Sequence, residues 1–396
     1  MNNQQILKLT KRYVANTYTR FPMALVRGKG ARVWDADGKE YLDFVAGIAV
    51  NNLGHNHPAV VRAIRQQAAK LLHVSNLYHV APQSELAREL CRRSFAQRVF
   101  FCNSGAEANE AAIKLVRRYG AEWLGGKYEV LSTHNSFHGR TLATLTATGQ
   151  EKVRAGYDPL PAGFRQVPYN DLKAMEAAVD EKTTAAILVE PIQGEGGVVV
   201  PDKSYLEGLR ELCDQRGILL IFDEVQVGMG RTGKLFAYEH FGVEPDIMTL
   251  AKALGGGLPL GAMLAKEKVA RSFIPGTHAS TFGGNPLACS VGIAVLKTLV
   301  QGGALKNCVR MGKALSDGLQ SLKARFPFIR GIRGKGLILG MELEREGSKV
   351  VEDCMKAGLL LNCTAHRVLR FLPPLTIGKR EIERGLAILE KVLSRP

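Results

Sequence analysis

The feature that most constrains this chain is a series of short apolar segments that alternate with helical patterns through its middle. One of them, residues 218–222 (ILLIF), is apolar at every position, which is typical of a strand buried on both faces. Further strands are predicted at 98–102, 128–132, 185–190 and 246–250, with helices at 105–119 and 205–215. Such an alternation predicts an α/β fold whose mainly parallel central sheet is covered by helices.

The C-terminal part of the chain has a different pattern, which predicts a smaller α+β domain. Helices are predicted at 291–299, 311–322 and 380–393, and strands at 336–343 and 368–372. A chain of 396 residues is long enough for more than one domain. We therefore predict an N-terminal segment (1–50) that packs with the small domain, a large ligand-binding domain (51–287) and a small domain (288–396).

The charge balance is strongly basic, with 53 Lys and Arg against 37 Asp and Glu, a net charge of +16. A basic surface can attract nucleic acid, and a basic nucleic-acid-binding protein is the alternative from another functional class. The sequence has no recognition helix, zinc finger or aromatic-basic motif, so we expect no nucleic-acid partner. A cationic protein also suits small dicarboxylate and phosphate ligands.

Cysteine usage and hydropathy bear on the compartment. The seven cysteines form no C-x-x-C pair, which indicates reduced thiols. Residues 1–12 are polar, and no apolar run approaches the roughly 18 residues that a membrane helix needs. We expect a soluble cytoplasmic protein with no membrane partner.

Residues 103–107 (NSGAE) lie between a predicted strand and a predicted helix. Free backbone N–H groups at a helix N-terminus bind phosphate, aided by the helix dipole. Ser104 would add a hydroxyl, and Gly105 would permit close approach of the ligand. The alternative is an ordinary N-cap, in which Asn103 or Ser104 only caps the helix.

Two side chains at predicted strand ends suggest covalent chemistry. Asp223 follows the buried 218–222 strand, and pyridoxal-phosphate (PLP) chemistry needs such a buried acid to face a protonated pyridine nitrogen. The alternatives for this acid are a structural salt bridge or a magnesium ligand. Lys252 lies among small and apolar residues before three glycines, where desolvation would lower its pKa and make it a nucleophile able to form a Schiff base. The alternative for Lys252 is a solvated surface charge.

Residues 136–141 (SFHGRT) follow another predicted strand. Phe137 could stack on a flat heteroaromatic ring, and Arg140 could clamp a carboxylate with two hydrogen bonds. In isolation, a core phenylalanine and a surface arginine explain the segment better.

Two further segments resemble motifs that we do not assign. Residues 228–234 nearly match the phosphate-binding pattern G-x-x-x-x-G-K-[ST], but Leu235 replaces the hydroxyl residue that binds magnesium. His55 and His57 lack further ligands at metal-binding spacing, so a structural turn is expected and no metal site is predicted.

Taken together and in this order, these segments resemble the class III (ω-amino-acid) aminotransferases of PLP fold type I. The resemblance runs from residues 30–35 to 369–375, and its most specific parts are 223–233, Lys252 and 281–288. Within the class, residues 103–110 and 190–197 are most similar to acetylornithine aminotransferases.

The resemblance implies that PLP is the cofactor and that five residues lie around its ring. Lys252 would bind the cofactor covalently and later move a proton between it and the substrate carbon. Asp223 would pair with the pyridine nitrogen, Gln226 with the phenolic oxygen, and Phe137 would stack on the ring. Glu190 resembles an acid near the ring.

The resemblance also implies the phosphate contacts and the assembly. Ser104, Gly105 and Ala106 would bind the phosphate. Thr281 resembles a threonine that reaches the phosphate from the partner subunit, so a homodimer with the active site at its interface is implied.

Three further residues are implied to bind substrate. Arg140 would clamp the carboxylate far from the reacting amine, and Arg370 would clamp the α-carboxylate of glutamate. Glu195 would pair with Arg370 when the substrate has no carboxylate beside its amine, and swing away for glutamate. An arginine left unpaired in a dry site is costly, which supplies discrimination.

The implied reaction is ping-pong transfer from N-acetylornithine to 2-oxoglutarate, which gives N-acetylglutamate 5-semialdehyde and glutamate in arginine biosynthesis. Succinylornithine, ornithine, N-succinyl-diaminopimelate and 4-aminobutyrate stay open as alternative amines. Residues 362–367 (NCTAHR) depart from the small glycine-containing turn that the family often has, which leaves local loop geometry and substrate breadth open.

Overall fold

The structure, a computed structural model, describes residues 1–395. Its strands are β1 Leu25–Lys29, β2 Arg32–Asp35, β3 Glu40–Asp43, β4 Arg98–Cys102, β5 Glu129–Thr133, β6 Phe164–Val167, β7 Thr184–Val189, β8 Leu219–Asp223, β9 Ile247–Leu250, β10 Gly261–Ala265, β11 Ile329–Lys335, β12 Ile338–Leu343, β13 Leu359–Leu360, β14 Asn362–Thr364 and β15 Val368–Phe371. Its helices are α1 Asn3–Tyr13, α2 Ala46–Ala49, α3 Pro58–Ala68, α4 Ala81–Cys91, α5 Gly105–Trp123, α6 Leu142–Ala147, α7 Glu151–Arg154, α8 Leu172–Ala178, α9 Lys203–Arg216, α10 Glu267–Ala270, α11 Pro286–Gln301, α12 Ala304–Arg325, α13 Ser348–Lys356 and α14 Lys379–Leu393.

The large sheet has seven strands in the order β4-β10-β9-β8-β7-β5-β6. Strands β6, β5, β7, β8 and β9 run parallel to one another, and every residue of β8 is buried. This confirms the predicted mainly parallel sheet. No strand was predicted at β10, which is antiparallel to both of its neighbours. A short apolar pattern also does not encode the direction of a strand.

The predicted elements are present, with ends shifted by up to seven residues. Strand β4 has the predicted bounds, and β8 begins and ends one residue later than predicted. Helix α5 continues to Trp123, four residues past the predicted end. Helix α9 ends at Arg216, and its C-cap Gly217 has a φ of 61°, in the left-handed region that glycine adopts without strain.

Two smaller sheets complete the fold. One is antiparallel, in the order β11-β12-β15-β14, and packs with the C-terminal helices. The other has the order β1-β2-β3-β13, so the C-terminal strand β13 adds in parallel to the N-terminal strands. The antiparallel sheet confirms a smaller domain beside the large sheet. The division at 50/51 and 287/288 stays our proposal, and its second boundary falls in the first turn of α11.

A buried arginine joins the loop after β8 to the small antiparallel sheet. Arg231 is fully buried, and its Nη1 donates to the carbonyl oxygens of Leu337 at 2.9 Å and Pro373 at 2.6 Å. Its Nη2 donates to the side-chain oxygen of Asn52. The segment that nearly matches a phosphate-binding loop is therefore a tie between the large sheet and the residues that flank β12 and β15.

A helix that spans a membrane must be both long and apolar. Within residues 1–395, no single helix combines enough length with enough apolar character to cross a membrane. Helices α11 and α12, which are bent by 64° relative to each other, reach this length and apolar character only when the two are taken together.

Candidate active site

The candidate site lies at the carboxyl ends of adjacent parallel strands of the large sheet. Asp223 is the last residue of β8, and its Cα is paired with that of Thr249 in β9. Lys252 follows shortly after β9 ends at Leu250, and Glu190 directly follows β7. This is the edge at which open α/β sheets bind ligands, because the strands end there and the loops splay apart.

Most of the predicted site residues line one cavity of 480 Å³ at this edge. They are Ser104, Gly105, Ala106, Phe137, Arg140, Glu190, Glu195, Asp223, Gln226 and Lys252. Arg370 lies behind the lining, in contact with Glu195 and Gln226. Thr281 is exposed and lies outside the lining, so this chain alone does not bring it into the site.

Asp223 is held by a network that sequence reasoning missed in part. Its Oδ2 accepts from Asn109 Nδ2 at 2.7 Å and contacts His138 Nδ1 at 2.8 Å, while its Oδ1 accepts from the Val225 N–H at 3.0 Å. Asn109 Oδ1 in turn accepts from the Thr249 hydroxyl at 2.8 Å. The carboxylate is therefore fixed in one orientation by groups from three separate segments.

Asn109 and His138 stand within the quoted motifs, but their roles were not predicted. Each is at most 2% exposed, and Nε2 of His138 has no hydrogen-bond partner within residues 1–395. The available signal was an asparagine on the apolar face of α5, since an unpaired buried amide is costly.

The acid next to Asp223 has a different environment. Glu224 accepts the backbone N–H groups of Ala237 at 2.6 Å and Tyr238 at 2.7 Å. Burial raises the pKa of Glu224 to about 8. Glu224 therefore anchors the short helical turn that begins at Ala237, and only Asp223 of the two lines the cavity.

The electrostatics of the cavity lower the pKa of Lys252. Burial is the main reason that the pKa of Lys252 lies below its ordinary value, and the charge of Arg370 acts in the same direction. The carboxylate of Glu195 acts in the opposite direction. A lysine with a lowered pKa is a stronger nucleophile at neutral pH, because more of it is unprotonated.

Glu190 is the second buried acid at the cavity. Burial raises its pKa well above the ordinary value, and the charge of Asp223 adds to the effect. Its Oε2 is buried without a hydrogen-bond partner in the part of the chain that the structure describes. An orphaned carboxyl oxygen that lines a cavity is a group available to a ligand.

Glu195 and Arg370 form an ion pair at one side of the cavity. Arg370 is fully buried, and its Nη1 donates to Glu195 Oε1 at 2.7 Å and to Gln226 Oε1 at 2.9 Å. Gln226 Nε2 also donates to Glu195 Oε1 at 3.2 Å, so Gln226 bridges the pair. Arg370 Nη2 has no partner among residues 1–395. Burial alone would raise the pKa of Glu195, but Arg370 more than offsets it, and the net direction is downward.

The N-terminus of α5 forms another wall. Ser104 is its N-cap and accepts the Glu107 N–H at 3.1 Å, so the N-cap interpretation describes its side chain. A Cβ on Gly105 would lie 2.7 Å from Val225 Cγ1, so no larger residue fits there. Residues 104–106 line the cavity, and the first backbone N–H groups of an α-helix have no intrahelical partners. Phosphate binding at this end stays a prediction.

Phe137 and Arg140 lie on the remaining side. Phe137 is half-buried, Arg140 is exposed, and the Arg140 guanidinium carbon is 5.6 Å from the centre of the Phe137 ring. The cavity lining therefore combines a flat aromatic side chain with an exposed cation.

The two histidines that could have suggested a metal have structural partners. His55 Nε2 is 2.7 Å from Asp43 Oδ2, and His57 caps α3. Within the described range, 1–395, no group of three or more His, Cys, Asp or Glu side chains is arranged to hold a metal ion.

Comparison with known proteins gives the chain its family. The family described as aminotransferase class-III matches residues 13–393. An acetylornithine aminotransferase of Caldanaerobacter subterraneus subsp. tengcongensis is 54% identical over 386 residues, which are 97% of this chain and 98% of that protein.

Two solved structures are also similar. The N-acetylornithine aminotransferase of Stenotrophomonas maltophilia K279a is 41% identical with a TM-score of 0.85, and 98% of each chain is covered. An ornithine aminotransferase of Toxoplasma gondii, described with PLP at partial occupancy in its active site, is 35% identical with a TM-score of 0.95 over 99% of this chain and 94% of that one. By its matched residues and by relatives of the same length, the chain belongs to the class III aminotransferases.

Proposed function

We propose that the chain transfers the terminal amino group of N-acetylornithine to 2-oxoglutarate, with PLP as cofactor. Family membership makes the chain an aminotransferase, and relatives at about half identity are named acetylornithine aminotransferases. The observation that carries the proposal is that Lys252, Asp223 and the Glu195–Arg370 pair meet at one cavity.

The residues around the cavity fit PLP. The space of 480 Å³ suits a small aromatic phosphate, and the side-chain-free wall at Gly105 lets a ligand approach the α5 N-terminus. Asp223, with three hydrogen-bonding neighbours fixing its orientation, supplies the acid that a pyridinium nitrogen needs. When bound, PLP supplies an electrophilic aldehyde and an electron sink.

Lys252 performs the covalent and proton-transfer work of the protein. Its amine, whose pKa is lowered by burial, would hold PLP and would move a proton to and from the substrate carbon. Asp223 would hold the pyridine nitrogen, Phe137 would stack on the ring, and Gln226 would reach the phenolic oxygen.

The Glu195–Arg370 pair supports discrimination between the two substrates. Acetylornithine has no carboxylate beside its reacting amine, so Glu195 can stay paired and keep Arg370 neutralised. Glutamate brings an α-carboxylate that would take Glu195's place and use the free Nη2 of Arg370. Arg140 at the mouth would bind the distal carboxylate in both half-reactions.

An amine panel tests the substrate. Acetylornithine, succinylornithine, ornithine, N-succinyl-diaminopimelate and 4-aminobutyrate are each assayed with 2-oxoglutarate, and acetylornithine should have the highest kcat/KM. Ornithine is the second candidate because of the similar Toxoplasma ornithine aminotransferase. A higher kcat/KM for ornithine would overturn the choice of substrate and leave the reaction class standing.

A single substitution tests the reaction class. Lys252→Ala should abolish turnover, because no other residue that lines the cavity within the described range 1–395 supplies an amine. The matched control is Lys313→Ala, whose side chain is 76% exposed on α12, and it should keep full activity. Full transamination by Lys252→Ala would reject the mechanism.

The homodimer is part of the proposal. Asn76 Nδ2 donates to the Ser280 carbonyl at 2.9 Å, which joins two segments that display large apolar side chains. Leu77 is 83% exposed and Phe282, beside Thr281, is 60% exposed, which is unusual for a lone chain. Sedimentation should give a dimer, and Thr281→Ala should weaken PLP binding. A fully active monomer would reject the dimer.

We also propose the cytoplasm as the compartment of the protein, which cell fractionation would test.

A further inference from the structure

The edge strand β14 contacts both members of the Glu195–Arg370 pair. Asn362 and Arg370 are directly paired across β14 and β15, and Asn362 Oδ1 accepts from Arg370 Nε at 3.3 Å. Thr364, two residues on, donates its hydroxyl to the backbone carbonyl of Glu195. These residues belong to the segment that departs from the usual family pattern.

The contact with Asn362 bears on the direction of the Arg370 side chain. A guanidinium is planar, so fixing Nε and Nη1 also fixes where Nη2 points. Asn362 holds Nε, Gln226 and Glu195 hold Nη1, and Nη2 is the donor left over in the described chain. If Glu195 leaves, Asn362 and Gln226 still hold the plane in place.

The contact with Thr364 bears on the freedom of Glu195. Thr364 fixes the Glu195 backbone, whereas the Glu195 side chain is 28% exposed. Glu195 also lines a second, polar cavity of 730 Å³, together with Thr364, Cys363 and Lys152. The side chain therefore has space to rotate without movement of its backbone.

We propose that Asn362 and Thr364 are positioning residues for the exchange between Glu195 and a substrate carboxylate at Arg370. The inference rests on the proposed function, because it assumes that both kinds of substrate are used. Asn362 keeps the guanidinium aimed while its charged partner changes. Thr364 fixes the point about which the Glu195 side chain turns.

The neutrality of Asn362 is central to this role. Its amide oxygen accepts a hydrogen bond without cancelling the charge of Arg370, so a substrate carboxylate is still attracted. A carboxylate at the same place would pair with Arg370 in every state and could not swing away. Asparagine and aspartate have nearly the same shape, so exchanging them changes the charge and little else.

The main test is Asn362→Asp in the holoenzyme, with the two half-reactions followed separately by the absorbance of the bound cofactor. We expect kcat/KM for glutamate to fall about 10- to 100-fold, the range for a charged hydrogen bond. The kcat/KM for acetylornithine should stay within about twofold, because this substrate has no carboxylate that binds Arg370. Glutarate, an unreactive dicarboxylate, should bind about tenfold more weakly by titration calorimetry.

The matched control, Asn2→Asp, makes the same charge change at the N-cap of α1, where aspartate caps equally well.

The second variant, Thr364→Val, keeps the shape and removes the hydroxyl. It should lower kcat/KM for acetylornithine and spare glutamate, because Glu195 is then less well placed to neutralise Arg370. Simple structural damage would lower both half-reactions together in both variants. Equal losses in the two half-reactions, or no change in either variant, would overturn the inference. If Asn362→Asp does not fold, Thr364→Val alone decides between these outcomes. A wild-type protein without the glutamate half-reaction would instead reject the proposed function.

Discussion

Arg231 and Arg370 are both fully buried, but their surroundings differ. The hydrogen-bond partners of Arg231 are neutral, namely the carbonyls of Leu337 and Pro373 and the amide of Asn52. Burial lowers its pKa to about 10. Arg370 has a carboxylate partner, Glu195, and retains an Nη2 with no partner among residues 1–395.

The two sets of partners distinguish a structural role from a functional role for a buried cation. Arg231 donates to neutral acceptors from distant segments and so joins those segments, and none of these partners is a charged group that could be exchanged. Arg231 Nε, like Arg370 Nη2, has no partner among residues 1–395. At Arg370, we propose that a substrate carboxylate replaces that of Glu195, and Nη2 is the donor that it would use. A buried charge is costly to leave unpaired, so the replacement has to be matched closely.

The largest expected effect is on stability, at the structural arginine. Arg231→Met should lower the free energy of unfolding by about 3–5 kcal/mol, because three buried acceptors lose their donor. Urea unfolding measures the loss, with Arg92→Met as the control, since that side chain is 69% exposed. If Arg231→Met unfolded like the wild type but lost only the glutamate half-reaction, the contrast between the arginines would fail.

At the functional arginine, the effect should fall on one half-reaction. Arg370→Met should cost about 2–5 kcal/mol of transition-state binding for glutamate, or about 30- to 5,000-fold in kcat/KM. The loss for acetylornithine should be smaller, since that substrate does not use Arg370. Rapid-mixing measurements of the two half-reactions give the ratio. Equal losses would mean that Arg370 is as structural as Arg231.

A smaller effect is expected when the exchangeable partner is changed. Glu195→Gln keeps the shape but leaves the charge of Arg370 uncompensated, so kcat/KM for acetylornithine should fall about tenfold while glutamate is spared. The ratio of the two kcat/KM values is the measurement. A loss confined to glutamate would contradict the assigned exchange.

The smallest effect concerns pH. The pKa of Glu195 is lowered in the folded state, so the pair contributes stability that is fully present above the unfolded pKa, about 4.3, and is lost as the pH falls through the folded pKa. The difference in unfolding free energy between wild type and Glu195→Gln should therefore be constant from pH 7 to about 5 and shrink below about 4. A difference that grew on acidification would have the wrong sign.

The features that local pattern encodes were predictable. Strand β8 is apolar throughout, and Asp223 at its end and Lys252 after the next strand follow from where ligands bind in such sheets. The Glu195–Arg370 pair came from the family resemblance, since the two residues are far apart in the chain.

The rest depends on contacts between distant segments. Asn109 and His138 matter because a helix and a loop both reach Asp223, which no window of sequence shows. Arg231 was set aside with a near match to a phosphate loop, because its partners Leu337 and Pro373 lie 106 and 142 residues away in the chain, well outside any local motif. The direction of β10 is likewise set by its neighbours.

The most direct test of the account is to locate the lysine that binds the cofactor. The holoenzyme is reduced with borohydride and digested with trypsin, and the peptides are examined by mass spectrometry. Trypsin does not cut at a modified lysine, so the account predicts the reduced cofactor on an uncut peptide of residues 235–266, which contains Lys252 and ends at Lys266. Reduced cofactor on any other lysine, or an equal yield of cofactor-bearing peptide from Lys252→Ala, would contradict this assignment.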